Sequence, residues 1–126
     1  MERKVISTDR APGAIGPYSQ GIKIESLVYT SGQLPVNPET GEIPKEIEAQ
    51  TRQSLENVKA VLEAGGSCMK NTVKLLIFIK DMNDFVKMNE VYGQFFKENY
   101  PARSCVEVAR LPKDALIEIE AIGIVG

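Results

Sequence analysis

Val73-Lys74-Leu75-Leu76-Ile77-Phe78-Ile79 is the stretch on which the fold turns. Its second half is apolar on both faces of an extended chain, the pattern of a central strand covered on two sides. Upstream, Ile47, Leu55, Val58 and Leu62 recur at helical spacing from Ile47 to about Ala64, and Gly65-Gly66 supplies the stop. Downstream, Asn83 is placed to cap a second helix, with Phe85, Met88, Tyr92, Phe95 and Phe96 along one side and Pro101 ending it. Ser104 to Ala109 and Leu116 to Val125 alternate as strands around the turn Leu111-Pro112-Lys113-Asp114. Near the N-terminus, Val5-Ile6-Ser7, Ile22-Lys23-Ile24 and Leu27-Val28-Tyr29-Thr30-Ser31 read as strands, the last two around a tight Glu25-Ser26 connection. The glycines and prolines between Ala11 and Ser19 rule out a regular element there.

The order is βββ-α-β-α-ββ, an α/β (α+β) mixed sheet with two helices, read as one domain over residues 1–126. Two helices of this length cover one face. The second face of residues 75–79 is apolar too, and so is the last strand apart from Glu118 and Glu120. No sequence remains to cover it, so copies of the same chain are expected to do so.

A chain of 126 residues, 43% hydrophobic and 25% charged, is an ordinary globular composition and buries enough surface to fold without staples. A net charge of −2 gives no general pull toward nucleic acid or acidic membrane. No apolar stretch follows the charged start Met1-Glu2-Arg3-Lys4, and the longest apolar run, Leu75 to Ile79, is far too short to span a membrane. A cytoplasmic location is expected, and Cys68 and Cys105, far apart and in no CxxC pair, suit free thiols there. With no histidine, the common zinc and iron ligand sets are missing, so no metal is expected. Acid and base work falls to carboxylates, tyrosine, cysteine, lysine or water.

Alternation puts Arg103, Cys105 and Glu107 on one face of their strand, and Glu118 and Glu120 on one face of theirs. Charges in apolar strands need partners or water. Arg103 therefore has two readings: a rim ion pair with a glutamate, which the pattern alone favours, or a planar fork awaiting a ligand carboxylate. Cys105, in a valine-rich strand without a histidine to activate it, reads as a small core hydrophobe before a nucleophile. Tyr18, after Gly16-Pro17, is a packing anchor or a site wall. Asn89 on the second helix reads as simply solvent-exposed, and Gly13-x-x-Gly16 lacks the ending of a phosphate loop.

Pro101-Ala102-Arg103-Ser104-Cys105-Val106-Glu107-Val108-Ala109-Arg110-Leu111-Pro112-Lys113-Asp114, followed by Ile117-Glu118-Ile119-Glu120-Ala121, resembles the signature of the Rid family, the reactive intermediate deaminases, in its RidA subgroup. Ile15 to Gly21, Ser31 to Pro35, Gln53 to Lys59 and Asn89 to Tyr92 resemble further family segments in the family's order. The resemblance implies a chorismate-mutase-like fold, with both helices on one face of the sheet, and a homotrimer with clefts between subunits. It also implies hydrolysis, without cofactor or metal, of small 2-imino and 2-enamine acids such as 2-aminoacrylate, 2-iminopropanoate and 2-iminobutanoate. The products are 2-keto acids and ammonia, and pyridoxal-phosphate enzymes are protected. By position, Arg103 matches the arginine holding the substrate carboxylate and Glu118 the carboxylate that positions or activates water. Tyr18, Ser31, Gly32, Asn89 and Cys105 match residues lining the cleft. Two other classes stand beside this one: a non-catalytic module binding 2-keto acids, and an RNA-cleaving protein, against which the charge and the lack of histidine argue.

Overall fold

The computed structural model describes residues 2–126. Its elements are β1 (Arg3–Ile6), β2 (Gly21–Ile24), β3 (Leu27–Thr30), α1 (Ile47–Ala64), β4 (Thr72–Ile79), α2 (Phe85–Phe95), β5 (Ala102–Glu107) and β6 (Ile117–Ile124). They form one six-stranded sheet in the order β1-β2-β3-β6-β4-β5. Strands β1 to β3 form an antiparallel meander, with Glu25 at φ 51° in the tight turn between β2 and β3. β6 lies antiparallel between β3 and β4, and β4 pairs with β5 in parallel through α2. The mixed α+β sheet expected from the element order is therefore present.

The stretch 75–79 sits inside the sheet, as its two-sided apolarity requires. Leu75, Ile77 and Ile79 are fully buried, together with Ile117 and Ile119 of β6 and Leu55, Val58, Val61 and Leu62 of α1. Each such side chain contributes about 1.5–3 kcal/mol by leaving water. Leu76 and Phe78 point the other way and are half-buried. On that same second face, by register, Val106, Tyr29 and Ile124 keep 42%, 40% and 44% of their surface exposed. The chain's own helices thus leave one apolar face of the sheet uncovered.

α1 spans the residues its periodicity predicts and ends through a paired-carbonyl C-cap. Gly66 takes φ 92°, letting its N–H reach Glu63 O at 3.0 Å and the Ser67 N–H reach Leu62 O at 2.8 Å. α2 departs from expectation at both ends. Asn83 is not its cap: it lies in a short 3-10 turn, Met82–Asp84, whose cap is the Asp81 carboxylate accepting from Asn83 N at 2.9 Å. Pro101 does not end it either. Phe96 already turns extended so that its ring buries against Tyr92, centroids 4.7 Å apart. β5 begins two residues earlier than expected because pairing with β4 starts at Lys74↔Ala102. Among the described residues no helix is long and apolar enough to cross a membrane.

Candidate functional site

The residues singled out from sequence fall into two groups, set apart by the pleat. Arg103 is the register partner of Leu75 and Cys105 that of Ile77, so both side chains stand on the helix face at the edge strand. Glu118 is the register partner of Phe78, on the opposite face, and β4 lies between β6 and β5. Two strand spacings, about 10 Å, and the thickness of the sheet keep Arg103 and Glu118 of one chain apart.

In the first group, α2 brings Phe85, Asn89 and Tyr92 to one flank at spacings of four and three residues, the repeat of a single helix face. Arg103 Nη1 donates to Asn89 Oδ1 at 2.7 Å, and its guanidinium carbon lies 4.7 Å from the Tyr92 ring centre and 5.5 Å from that of Phe85. The ion-pair reading of Arg103 is thereby overturned. The ion pairs among the described residues are Arg10–Glu63 and Arg110–Asp114, while Glu107, on Arg103's own face, accepts from Met82 N at 2.8 Å. Solvent exposure is likewise the wrong account of Asn89, which is half-buried and anchors the guanidinium. Cys105 is half-buried beside them; burial pushes its thiol pKa up, and Arg103 only partly offsets that. A thiol held protonated is a poor nucleophile at neutral pH.

The second group surrounds an open cleft of about 800 Å³, which Tyr18, Ser31, Gly32 and Glu118 help to line. The buried Gln20 side chain fixes the glycine- and proline-rich loop, donating to Thr8 O at 2.9 Å and Pro12 O at 2.8 Å and accepting from Thr8 N at 2.7 Å. Ser31 follows from it: its N–H reaches Gln20 O at 2.8 Å and its hydroxyl donates to Ser19 O. Tyr18 stands exposed on the cleft wall. Gln33 ties the exit of β3 to β6, its N–H donating to Ile119 O at 2.7 Å and its carbonyl accepting from Ile119 N at 3.2 Å. That tie presses Gly32 onto Glu118, where a Cβ would lie 2.9 Å from the carboxyl carbon and from Oε2. A side chain at position 32 would have to displace the Glu118 carboxylate. Burial, and next the Glu120 charge, push the Glu118 pKa above the ordinary carboxylate range. Lys113, at φ 58° in the turn before β6, lines the same cleft.

Sequence reasoning missed the two aromatic partners of Arg103. Sequence periodicity shows Phe85 and Tyr92 only as part of an apolar stripe, though the run Phe85, Asn89, Tyr92 is the signal that marks one face. It missed as well the buried amides of α1. Asn57 donates to Leu34 O and Val36 O, both at 2.9 Å, and Gln50 accepts from Leu116 N at 2.8 Å, so α1 holds both chain segments that flank the cleft. Among the described residues no group of three or more cysteine, aspartate and glutamate side chains is placed to hold a metal ion.

Comparison with known proteins agrees across the chain. The family model described as Endoribonuclease L-PSP matches residues 8–125. The 2-iminobutanoate/2-iminopropanoate deaminase of Escherichia coli K12 is 56% identical over 124 residues, covering 96% of this chain and 97% of its own. The crystal structure of E. coli TdcF with bound serine superposes with a TM-score of 0.94 at 56% identity, over 98% of this chain and 99% of that one. A Yersinia pestis protein of the conserved Rid family superposes at 0.95 with 48% identity, over 98% of this chain and all of that one.

Proposed function

The chain belongs to the Rid family, and from that premise we propose that it hydrolyses small 2-imino acids, and the 2-enamine acids that tautomerise to them, to 2-keto acids and ammonia. Two observations support the reading above the rest: an arginine whose fork is held by Asn89 with donors left over, and a carboxylate of raised pKa in an open cleft. The first suits a substrate carboxylate, bound edge-on through two N–H groups. The second suits a group that takes up and returns a proton. Serine bound in the related TdcF structure has the α-carboxylate such a site would hold.

The chemistry is short. An imine carbon is already electrophilic, so a placed water suffices as nucleophile. From the protonated imine, Glu118 takes one proton from that water as its oxygen bonds to carbon and the C=N π pair settles on nitrogen, giving a tetrahedral carbinolamine. The protonated Glu118 then returns the proton to nitrogen, and the C–N bond breaks with its electron pair leaving on ammonia. Glu118 takes the hydroxyl proton as the C=O of the 2-keto acid forms and passes it to ammonia, which departs as ammonium. An enamine joins this path after protonation at carbon. Holding the substrate by Arg103 removes orientational freedom, which is worth several kcal/mol in comparable reactions. Removing 2-aminoacrylate and its relatives in this way would spare pyridoxal-phosphate enzymes. In this reading Cys105, Tyr18, Ser31, Gly32 and Asn89 shape and orient rather than react.

The two groups of one chain face opposite ways, so a complete site needs Arg103 of one copy and Glu118 of another. The open apolar face gives the copies a reason to assemble, and the family resemblance makes the number three. Light scattering is expected to return three times the 13.9 kDa chain mass; a stable monomer would refute both the trimer and the shared site.

The activity is tested by generating the intermediate in place. A threonine or serine dehydratase produces the imino acid, and keto-acid appearance is timed with and without this protein. Faster appearance supports the reading. A rate equal to the protein-free control, together with 2-keto acid binding by calorimetry, would make the chain a binding module instead. The family model's description names an endoribonuclease, but a net charge of −2 and no histidine leave RNA cleavage poorly provided for.

A further inference from the structure

We infer that Tyr92 is a positioning residue for Arg103: its buried ring fixes the plane of the guanidinium, so that the fork meets a ligand carboxylate edge-on. Arg103 projects from an edge strand on a long, flexible stem, and such a side chain loses much rotamer freedom when fixed. The hydrogen bond to Asn89 holds one nitrogen at 2.7 Å but leaves rotation about that contact. A face contact removes that freedom. The Tyr92 ring centre lies 4.7 Å from the guanidinium carbon, within reach for cation–π attraction, with Phe85 a looser second wall at 5.5 Å.

Tyr92 can serve as a fixed reference because it is itself immobile. It is 6% exposed, and its ring packs at 39° against buried Phe96. Phe96 is where the chain leaves α2, so the early end of that helix is part of the same device. Tyr92 Oη is buried and makes no hydrogen bond to a described residue. The part of Tyr92 that meets the cation is the ring. Burial pushes the phenol pKa up, keeping it neutral beside the cation. A guanidinium with one face against a ring still offers its N–H edge, the geometry a bidentate carboxylate needs.

This inference rests on the proposed reaction for its kinetic consequence but not for its geometry, and the test separates the two. Three assembled variants, Y92F, Y92L and F85L, are compared with the unaltered protein. Arg103 is first observed by NMR as its Nε–Hε resonance, which an aromatic ring at this distance displaces. Y92F is expected to keep the displacement and Y92L to lose it, whether or not the protein turns over imines. In calorimetry with 2-oxobutanoate, and in KM from the dehydratase-coupled assay, Y92L is expected to be weaker by about tenfold and F85L by a smaller factor, with kcat changed less than about threefold. Y92F should match the unaltered protein in all of these and melt no lower, since it removes only a buried hydroxyl that makes no hydrogen bond to a described residue. An unchanged Arg103 resonance in Y92L, or a Y92F loss as large as that of Y92L, would overturn the inference. Failure of the unaltered protein to bind 2-oxobutanoate would overturn the proposed function and leave the NMR comparison to decide this point.

Discussion

Replacing Arg103 with alanine is expected to lower kcat/KM for 2-imino acids by at least about a hundredfold and to abolish measurable binding of simple 2-keto acids. A charge-assisted fork to a carboxylate contributes up to about 3 kcal/mol, and ~2.7 kcal/mol is a hundredfold in rate. The loss should fall mainly on KM and on 2-keto acid affinity, because Arg103 holds the same carboxylate in substrate, transition state and product. Folding should survive. Arg103 is half-buried on an edge strand and makes no ion pair with a described residue, so its removal strands no opposite charge among them, and Asn89 is itself only half-buried. Arg103→Lys separates charge from shape. A lysine keeps the cation but offers no planar fork for the ligand and no flat group for the Tyr92 ring, so it should recover only part of the loss. Calorimetry with 2-oxobutanoate and light scattering on both variants make the comparison. Unchanged affinity in Arg103→Ala, with mass unchanged, would remove Arg103 from the site.

How much of this was legible beforehand depends on how local each signal is. α1 was legible to the residue because its apolar spacing and the Gly65-Gly66 stop act within one or two turns. α2 was misread at both ends because its start is set by the Asp81 carboxylate one step upstream, and its finish by the burial of Phe96 against Tyr92. Within each strand, alternation correctly grouped Arg103 with Cys105 and Glu118 with Glu120. It could not relate the two strands. Whether Arg103 and Glu118 share a face depends on the register of each with β4, Leu75↔Arg103 and Phe78↔Glu118, and neighbouring residues of one strand do not encode that. The strand order was hidden for the same reason, since β6 enters between β3 and β4 from the far end of the chain. The uncovered second face, by contrast, was legible from composition alone: apolar side chains on both sides of residues 75–79, and helix enough for one.

Glu118→Gln tests the other half and the sharing of the site at once. It keeps the shape that Gly32 packs against and removes only the ionisable group. We expect kcat to fall by about 10²–10⁴, the usual contribution of a general acid–base, with 2-keto acid affinity close to unaltered because the carboxylate is held by Arg103. The acid limb of the unaltered protein's pH profile should lie above the ordinary carboxylate range, as burial and Glu120 dictate, and should vanish in the variant. Stability carries the same sign. A carboxyl whose folded-state pKa is raised favours the fold fully only below its unfolded pKa, and loses that contribution as pH rises through the folded value. Above the folded pKa the half-buried charge is a burden, so Glu118→Gln should melt no lower than the unaltered protein at neutral pH, with any advantage shrinking toward acid. The decisive experiment mixes two nearly inactive proteins. If each site takes Arg103 from one copy and Glu118 from its neighbour, Arg103→Ala and Glu118→Gln chains denatured and refolded together must rebuild intact sites wherever a Glu118→Gln copy presents its arginine to an Arg103→Ala copy's glutamate. Random assembly at equal amounts makes about a quarter of the interfaces intact, so about a quarter of the unaltered activity should return. A mixture no more active than its two components, with subunit exchange confirmed by mass, would place both residues in one chain's site and contradict the opposite faces on which the sheet sets them.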